Sequence, residues 1–83
     1  MNDAEIRAVV VATLKSIAPE VEEAELRPGR PLRNQVDLDS MDWLRFLIGL
    51  HEKLKVEIPE SDYGRLVTLD DLVAYLGPKI ARV

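Results

Sequence analysis

The residues with the clearest chemical potential lie in the stretch VDLDSMDWLRFL, residues 36–47, where Ser40 stands between acidic residues and an apolar helical pattern. A serine hydroxyl becomes a catalytic nucleophile only when a neighbouring base takes its proton. The one histidine, His51, follows eleven residues later, which on a shared helix is about 16 Å away and too far for a hydrogen bond. No GxSxG turn, glycine-rich phosphate loop or catalytic carboxylate pair is recognisable. The sequence therefore predicts that this chain is not an enzyme.

Two roles remain open for Ser40. Its hydroxyl could cap the N-terminus of a helix, which contributes about 0.5–2 kcal/mol. It could instead carry a covalent group, because a phosphate ester there would meet free N–H groups and the positive end of the helix dipole. Asp37 and Asp39 would repel that phosphate, although they could attract a basic modifying enzyme. The residues alone do not choose between a cap and a modification site.

Length and composition restrict the class of protein. Eighty-three residues predict one domain, 1–83, with a modest core. The absence of cysteine argues against disulfides and Cys-based metal or redox sites, and a single histidine argues against zinc. A net charge of −4 and a pI near 4.9 argue against nucleic acid as a partner. The longest apolar run near the start, residues 8–14, is too short to span a bilayer and does not resemble a signal peptide. We therefore expect a cytoplasmic monomer without membrane insertion.

Helical periodicity dominates the elements that must position Ser40. A first helix is capped by Asn2 or Asp3, with the spacing of a capping box from Asn2 to Glu5, and ends before Pro19. A second helix runs from about Ser40 to Leu54. A short helical turn covers roughly residues 59–63 and ends at Gly64. A last helix is capped by Thr68 and is stopped by the Gly-Pro pair at 77–78. The expected fold is a small all-α bundle of three main helices and one short helix. The connection over residues 19–38 should be anchored in the core by five apolar side chains: Val21, Leu26, Leu32, Val36 and Leu38.

The second helix has two apolar faces. Trp43, Phe46 or Leu47, Leu50 and Leu54 have the spacing of a core stripe, whereas Met41, Leu44 and Ile48 lie on a different side. One interpretation is that the helix lies centrally and is wrapped by its neighbours. The other is that the second face flanks Ser40 and contacts a partner or an apolar cargo. Both can hold in part, because a small bundle can share one helix between core and surface.

The stretch VDLDSMDWLRFLIGLHEKLKVEIPE, followed by VTLDDLVAYL at residues 67–76, resembles the core motif of acyl carrier proteins. The family typically has Asp-Ser-Leu at the start of its second helix, then a hydrophobic helix and an Ile-Pro turn. This chain has DSM at 39–41 and IPES at 58–61 in the same order and at the same spacing. The resemblance extends from residue 1 to about residue 76.

The resemblance implies a function for Ser40 and its neighbours. Ser40 would carry 4'-phosphopantetheine, attached by a phosphopantetheinyl transferase that docks with the help of Asp39, and the thiol absent from the chain would come from that group. Met41 stands where Leu is usual, and Leu44 and Ile48 match partner-facing positions. The partners would be enzymes that load or use acyl groups. The carried group could be a fatty acyl, polyketide or aminoacyl or peptidyl unit.

One departure from the family pattern concerns charge. Carriers of fatty-acid synthesis usually have a strongly acidic second helix, but here Arg45 stands where an acidic residue is common and Trp43 where a small polar residue is. Arg27, Arg30 and Arg33 add positive charge in the connection. Because such charges set partner choice, we expect a specialised lipid, polyketide or secondary-metabolite pathway. The rival hypothesis is a helical adaptor or regulatory module without a prosthetic group.

Overall fold

The computed structural model describes residues 2–80. Its helices are α1 (Asp3–Ile17), α2 (Leu32–Gln35), α3 (Ser40–Leu54) and α4 (Leu69–Ile80), with short 3₁₀ helices at Glu23–Glu25 and Glu60–Arg65. No strand forms within this range, where the only β-type pairing is an isolated bridge between Pro31 and Thr68. The all-α class and the predicted bounds of the second helix are confirmed. None of the helices in residues 2–80 combines the length and apolar character needed to cross a bilayer.

α1 begins with a reciprocal cap and buries one face. The Asn2 side chain accepts from the Glu5 N–H at 2.8 Å, and the Glu5 carboxylate accepts from the Asn2 N–H at 3.1 Å, which satisfies two donors that the first turn would leave free. The buried face comprises Ile6, Val10, Val11, Thr13 and Leu14. This face packs against both α3 and α4, so α1 positions the other two long helices.

The connection before α3 is more ordered than a plain loop. Its five predicted anchors are buried, with exposed fractions between 0% and 8%, and the prediction of their role is confirmed. The two short helices within it, Glu23–Glu25 and α2, were not predicted, because elements of three or four residues carry too few apolar positions to show a period. Leu38, which is 6% exposed, is buried two residues before Ser40 and therefore fixes the point where α3 begins.

α3 crosses α1 at close range. A Cβ atom at Gly49 would lie 2.9 Å from Cγ2 of Thr13, so only glycine fits this crossing without a shift of the neighbouring chain. Thr13 is 1% exposed, and its hydroxyl donates to the Val9 carbonyl oxygen at 2.8 Å. The crossing therefore sets how deeply the inner face of α3 sits in the core.

Two predicted helix ends are wrong. The 3₁₀ helix continues through Gly64 to Arg65, since no glycine in the described residues has the positive φ that would end a helix there. α4 continues through Gly77 and Pro78 to Ile80, whose side chain packs against the core. That apolar contact, near the end of the helix, offsets the hydrogen bond that Pro78 cannot donate.

The predicted cap of α4 is confirmed. The Thr68 hydroxyl accepts from the Asp71 N–H at 3.0 Å, and the Asp71 carboxylate accepts from the Thr68 N–H at 3.1 Å. The 3₁₀ helix is joined to α4 by the Tyr75 hydroxyl, which donates to Oδ2 of Asp62 at 2.6 Å. Burial, together with this bond to a carboxylate, raises the pKa of Tyr75 to about 12. This hydrogen bond holds the 3₁₀ helix against α4.

Candidate functional site

The N-terminus of α3 is capped by Asp39 and not by Ser40. Oδ1 of Asp39 accepts from the Asp42 N–H at 2.8 Å, and Oδ2 of Asp42 accepts from the Asp39 N–H at 3.5 Å. Asp39 has extended backbone angles, φ −82° and ψ 179°, as an N-cap requires. The capping role considered for Ser40 is therefore wrong, and the Asp-x-x-Asp spacing in the sequence is the signal that identifies the true cap.

Ser40 is the first residue of α3, and its side chain is exposed. Within residues 2–80 its hydroxyl makes no hydrogen bond, and the N–H groups of Ser40 and Met41 are also without a partner, whereas the Trp43 N–H already bonds the Asp39 carbonyl oxygen at 3.0 Å. Two free donors and the positive end of a 15-residue helix therefore surround an accessible hydroxyl. This arrangement suits a phosphate ester, because both the donors and the dipole stabilise an anion.

The flanking acids and the histidine do not activate Ser40. The Asp39 carboxylate is committed to the cap, and the exposed Asp37 carboxylate is three residues away. Nδ1 of His51 lies 2.8 Å from the Val56 carbonyl oxygen, at the opposite end of α3. Ser40 thus has the geometry of an acceptor for a group that another protein transfers, with no base of its own.

The two apolar faces of α3 have different environments. The inner stripe is buried: Trp43 is 9% exposed, Leu47 1%, and Phe46 and Leu50 0%. The outer face is open, with Met41 at 61%, Leu44 at 37% and Ile48 at 45%, and Arg45 is also exposed. The interpretation in which neighbouring helices wrap the whole of α3 is therefore wrong. The exposed face begins next to Ser40, where an enzyme acting on the attached group would make contact.

The arginines of the connection lie on an ordered loop. The Gln35 amide nitrogen donates to the carbonyl oxygens of Arg27 and Arg30, both at 2.9 Å, while its amide oxygen accepts from the Arg27 N–H at 2.6 Å. Arg27, Arg30 and Arg33 are all exposed. Gln35, which fixes the backbone that bears two of these charges, was not identified from the sequence because its partners are backbone groups.

Two grooves beside α3 were also missed by sequence reasoning. One, of about 210 Å³, lies next to Trp43, and the other, of about 190 Å³, lies next to Leu47 and Ile48. Tyr63 lines both. The sequence did not identify Tyr63 as a groove residue, because nothing in its spacing shows that the 3₁₀ helix runs alongside α3.

Comparisons with known proteins agree with this geometry. The profile of the family described as "Phosphopantetheine attachment site" matches residues 6–76. An acyl carrier protein of Campylobacter fetus is 33% identical over 72 residues, 87% of each chain. A meromycolate extension acyl carrier protein of Mycolicibacterium aurum is 31% identical over 70 residues, 81% of this chain and 72% of that one.

A solved structure shows the same fold. The solution structure of a protein from Anaplasma phagocytophilum, described as a candidate acyl carrier protein, superposes with a TM-score of 0.82 and 27% identity, over 95% of this chain and 92% of that one. Family profile, relatives and fold all indicate the same family. The chain belongs to the acyl carrier protein family, whose members bear phosphopantetheine and carry acyl groups between acyl-handling enzymes without catalysing a reaction themselves.

Proposed function

We propose that Ser40 is the residue that carries 4'-phosphopantetheine in this carrier. The observation that supports the assignment is the exposed hydroxyl of Ser40 at the first position of α3, beside the two unpartnered N–H groups of Ser40 and Met41. When bound, the group supplies a flexible thiol arm on which acyl groups are held as thioesters. The chain's own part is to present the hydroxyl, to stabilise the phosphate through the start of α3, and to keep the rest of the helix rigid.

Asp39 and Met41 complete the attachment site. Asp39 holds the first turn of α3 in place through its bond to the Asp42 N–H and adds negative charge beside Ser40, where a basic phosphopantetheinyl transferase docks. Met41 is 61% exposed and offers that enzyme an unbranched, adaptable apolar contact. Both residues therefore help the transferase to recognise the site, and neither takes part in the transfer reaction itself.

The outer face of α3 is the surface that acyl-loading and acyl-using enzymes contact. Met41, Leu44 and Ile48 supply exposed apolar area, and Arg45 adds a positive charge among them. Across α3, Arg45 and Lys53 balance Asp42 and Glu52. Because rim charges select partners, the carrier serves a specialised lipid, polyketide or secondary-metabolite pathway, and enzymes that read a strongly acidic carrier use it poorly.

Residues 1–83 make up a single carrier domain. It is a cytoplasmic monomer that neither binds nucleic acid nor inserts into a membrane. Its net charge of −4 supports this view, because an acidic carrier repels both nucleic acid and anionic lipid.

Intact-mass measurement after incubation with coenzyme A and a broad-specificity phosphopantetheinyl transferase tests the assignment of Ser40. The native chain gains the mass of one phosphopantetheine group, and Ser40→Ala gains none. Ser61→Ala is the matched control, since Ser61 is also an exposed serine at the start of a helix, and it is modified like the native chain. A mass gain in Ser40→Ala would refute the assignment.

A further inference from the structure

Positive charge is concentrated on one stretch of the connection, residues 26–36, which we call the arginine loop. Three of the chain's 11 Lys and Arg residues lie in it and none of its 15 Asp and Glu residues. Their side chains are all exposed: Arg27, Arg30 and Arg33. The ion pair found among residues 2–80 joins Arg65 to Asp62, so no carboxylate in that part of the chain neutralises the three guanidinium groups of the loop.

Hydrogen bonds hold the backbone of the arginine loop from two sides. Within the loop, the Gln35 side chain bonds the carbonyl oxygens of Arg27 and Arg30. From outside, the Asp70 N–H at the start of α4 donates to the Pro28 carbonyl oxygen at 3.1 Å. The charges are therefore positioned before any partner arrives, and a positioned surface loses less conformational entropy on binding than a mobile one.

A groove of opposite charge borders the arginine loop, with a volume of about 230 Å³. Its apolar lining comes from buried side chains: Val21, Leu26 and Val36. Four exposed acidic residues complete it: Glu20, Glu22, Glu25 and Asp37. Gln35 also lines this acidic groove, so the groove and the arginine loop share one side chain and lie directly beside each other.

The adjacent charges of both signs favour a protein as the occupant. A nucleic acid or an anionic membrane presents only negative charge, so the carboxylates of the acidic groove would repel it while the arginine loop attracted it. A folded protein can present carboxylates to the arginines, which bind them through paired hydrogen bonds. It can also place the stem of an Arg or Lys on the apolar lining of the groove while the charged end meets the carboxylates.

We propose that the arginine loop and the acidic groove form a second docking surface, separate from the outer face of α3, for a protein partner with an acidic face and one projecting Arg or Lys. Asp37 lines the groove and precedes Ser40 by three residues. A partner docked on this surface therefore lies next to the N-terminus of α3. The proposal does not depend on which residue carries phosphopantetheine.

The test titrates ¹⁵N-labelled, phosphopantetheine-bearing carrier with a synthetic peptide and follows the amide signals by NMR. The peptide has four glutamates, two glycines and a final arginine, and a control peptide has glutamine in place of the arginine. We expect the largest shifts for the first peptide at Arg27, Arg30 and Gln35, and an affinity that falls as added salt screens the charges. The control peptide should bind about threefold more weakly, because it leaves the acidic groove empty.

Gly29 allows the charge of the arginine loop to be changed without removing an arginine. A Cβ atom there meets no other atom within 4 Å, and no glycine of the described chain has a positive φ. Gly29→Glu should weaken binding of the first peptide about tenfold, because the new carboxylate competes for Arg27 and Arg30. Gly29→Gln is the matched neutral control and should bind like the native chain.

Gln35→Ala tests whether the order of the loop matters. It keeps every charge but removes the hydrogen bonds to the backbone of Arg27 and Arg30. Binding should weaken about threefold, because the loop must then be ordered by the partner. Circular dichroism checks that each variant keeps the native helix content.

Four outcomes would overturn the proposal. Equal binding by Gly29→Glu and Gly29→Gln would show that the charge of the loop has no part in it, and equal binding of the two peptides would do the same for the acidic groove. The largest shifts at Leu44 and Ile48 would place the peptide on the outer face of α3. Tighter binding of phosphatidylglycerol vesicles or of a short DNA duplex than of the peptide would replace the protein partner by a phosphate surface. Self-association of the carrier during the titration, seen as a longer rotational correlation time, would assign the surface to a second copy of the chain.

This proposal and the assignment of Ser40 can fail separately. Ser40→Ala should bind the first peptide like the native chain, whether or not it accepts phosphopantetheine. Loss of peptide binding in Ser40→Ala would contradict a separate surface, whereas a mass gain in Ser40→Ala would refute only the attachment residue.

Discussion

Leu44 and Leu50 are both leucines of α3, yet they lie on opposite faces with different environments. Leu50 is 0% exposed and lies in the core, whereas Leu44 is 37% exposed on the outer face. α1 covers the inner side of α3, and no element within residues 2–80 covers the outer side to the same degree. A small bundle can thus use one helix both to build its core and to present an apolar surface.

The comparison separates stability from recognition. The inner face holds α3 in place, so substitutions there should unfold the carrier before they affect its partners. The outer face contributes little to folding, and substitutions there should affect partners while leaving the fold intact. Ser40 lies where both faces begin. The buried inner face holds it in position, and the outer face is where we expect the enzymes that act on it to make contact.

Of the substitutions on the two faces of α3, Leu50→Ala should lower the free energy of unfolding most. Removal of a fully buried leucine side chain costs about 2–5 kcal/mol, because transfer energy is lost and a cavity remains. Urea unfolding followed by circular dichroism measures this loss. A change below about 1 kcal/mol would contradict the assignment of Leu50 to the core.

Gly49→Ala should destabilise the carrier by about 1–3 kcal/mol. The new methyl group would lie 2.9 Å from Cγ2 of Thr13, so either the Thr13 side chain or the two helices must shift. The double variant with Thr13→Ser, which removes that methyl group, should recover part of the loss in the same unfolding measurement. An unchanged free energy of unfolding in Gly49→Ala would show that the crossing has room to spare.

Leu44→Ala should change the free energy of unfolding by less than about 1 kcal/mol, because its side chain is already partly in water and alanine favours helix. It should nevertheless lower kcat/KM for modification by a phosphopantetheinyl transferase about tenfold, the value of about 1.4 kcal/mol of lost contact. Steady-state kinetics on native and variant carrier measure the ratio. A variant that unfolds but is modified normally while folded would reverse the proposed roles of the two faces.

Arg45→Glu should have the smallest effect on folding, within about 0.5 kcal/mol, and should act on partner choice. Malonyl loading by a transferase of fatty-acid synthesis should be slower for the native chain than for a strongly acidic carrier, and the variant should recover part of the difference at low salt. Equal rates for the native chain and the acidic carrier would refute the proposed specialisation.

The features of the fold that follow from regular apolar spacing were predicted from the sequence. The bounds of α3, its inner stripe and the caps at Asn2 and Thr68 follow from apolar spacing and from side chains three residues apart. Apolar spacing alone left the state of the outer face open between two interpretations, because it depends on where α1 and the 3₁₀ helix lie around α3. Only the resemblance implied that Leu44 and Ile48 face partners. The two grooves, both lined by Tyr63, were missed for the same reason.

Local sequence signals were also overridden by contacts in the folded chain. Gly77-Pro78 is a strong stop signal in sequence, but the contact of Ile80 with the core carries α4 past it. At the start of α3, the sequence left open whether Ser40 caps the helix, and the structure shows that the Asp39-x-x-Asp42 pair forms the cap and leaves the serine hydroxyl free. This outcome matters most for function, because a capping serine would be unavailable for modification.

Localisation of the added group in the unaltered chain tests the central claim most directly. After treatment with coenzyme A and a phosphopantetheinyl transferase, trypsin cleavage at Arg33 and Arg45 releases residues 34–45, in which Ser40 is the only side chain with a hydroxyl group. Fragmentation of this peptide should place the entire added mass on Ser40. Added mass on a peptide containing Ser16 or Ser61, with residues 34–45 unmodified, would contradict the account.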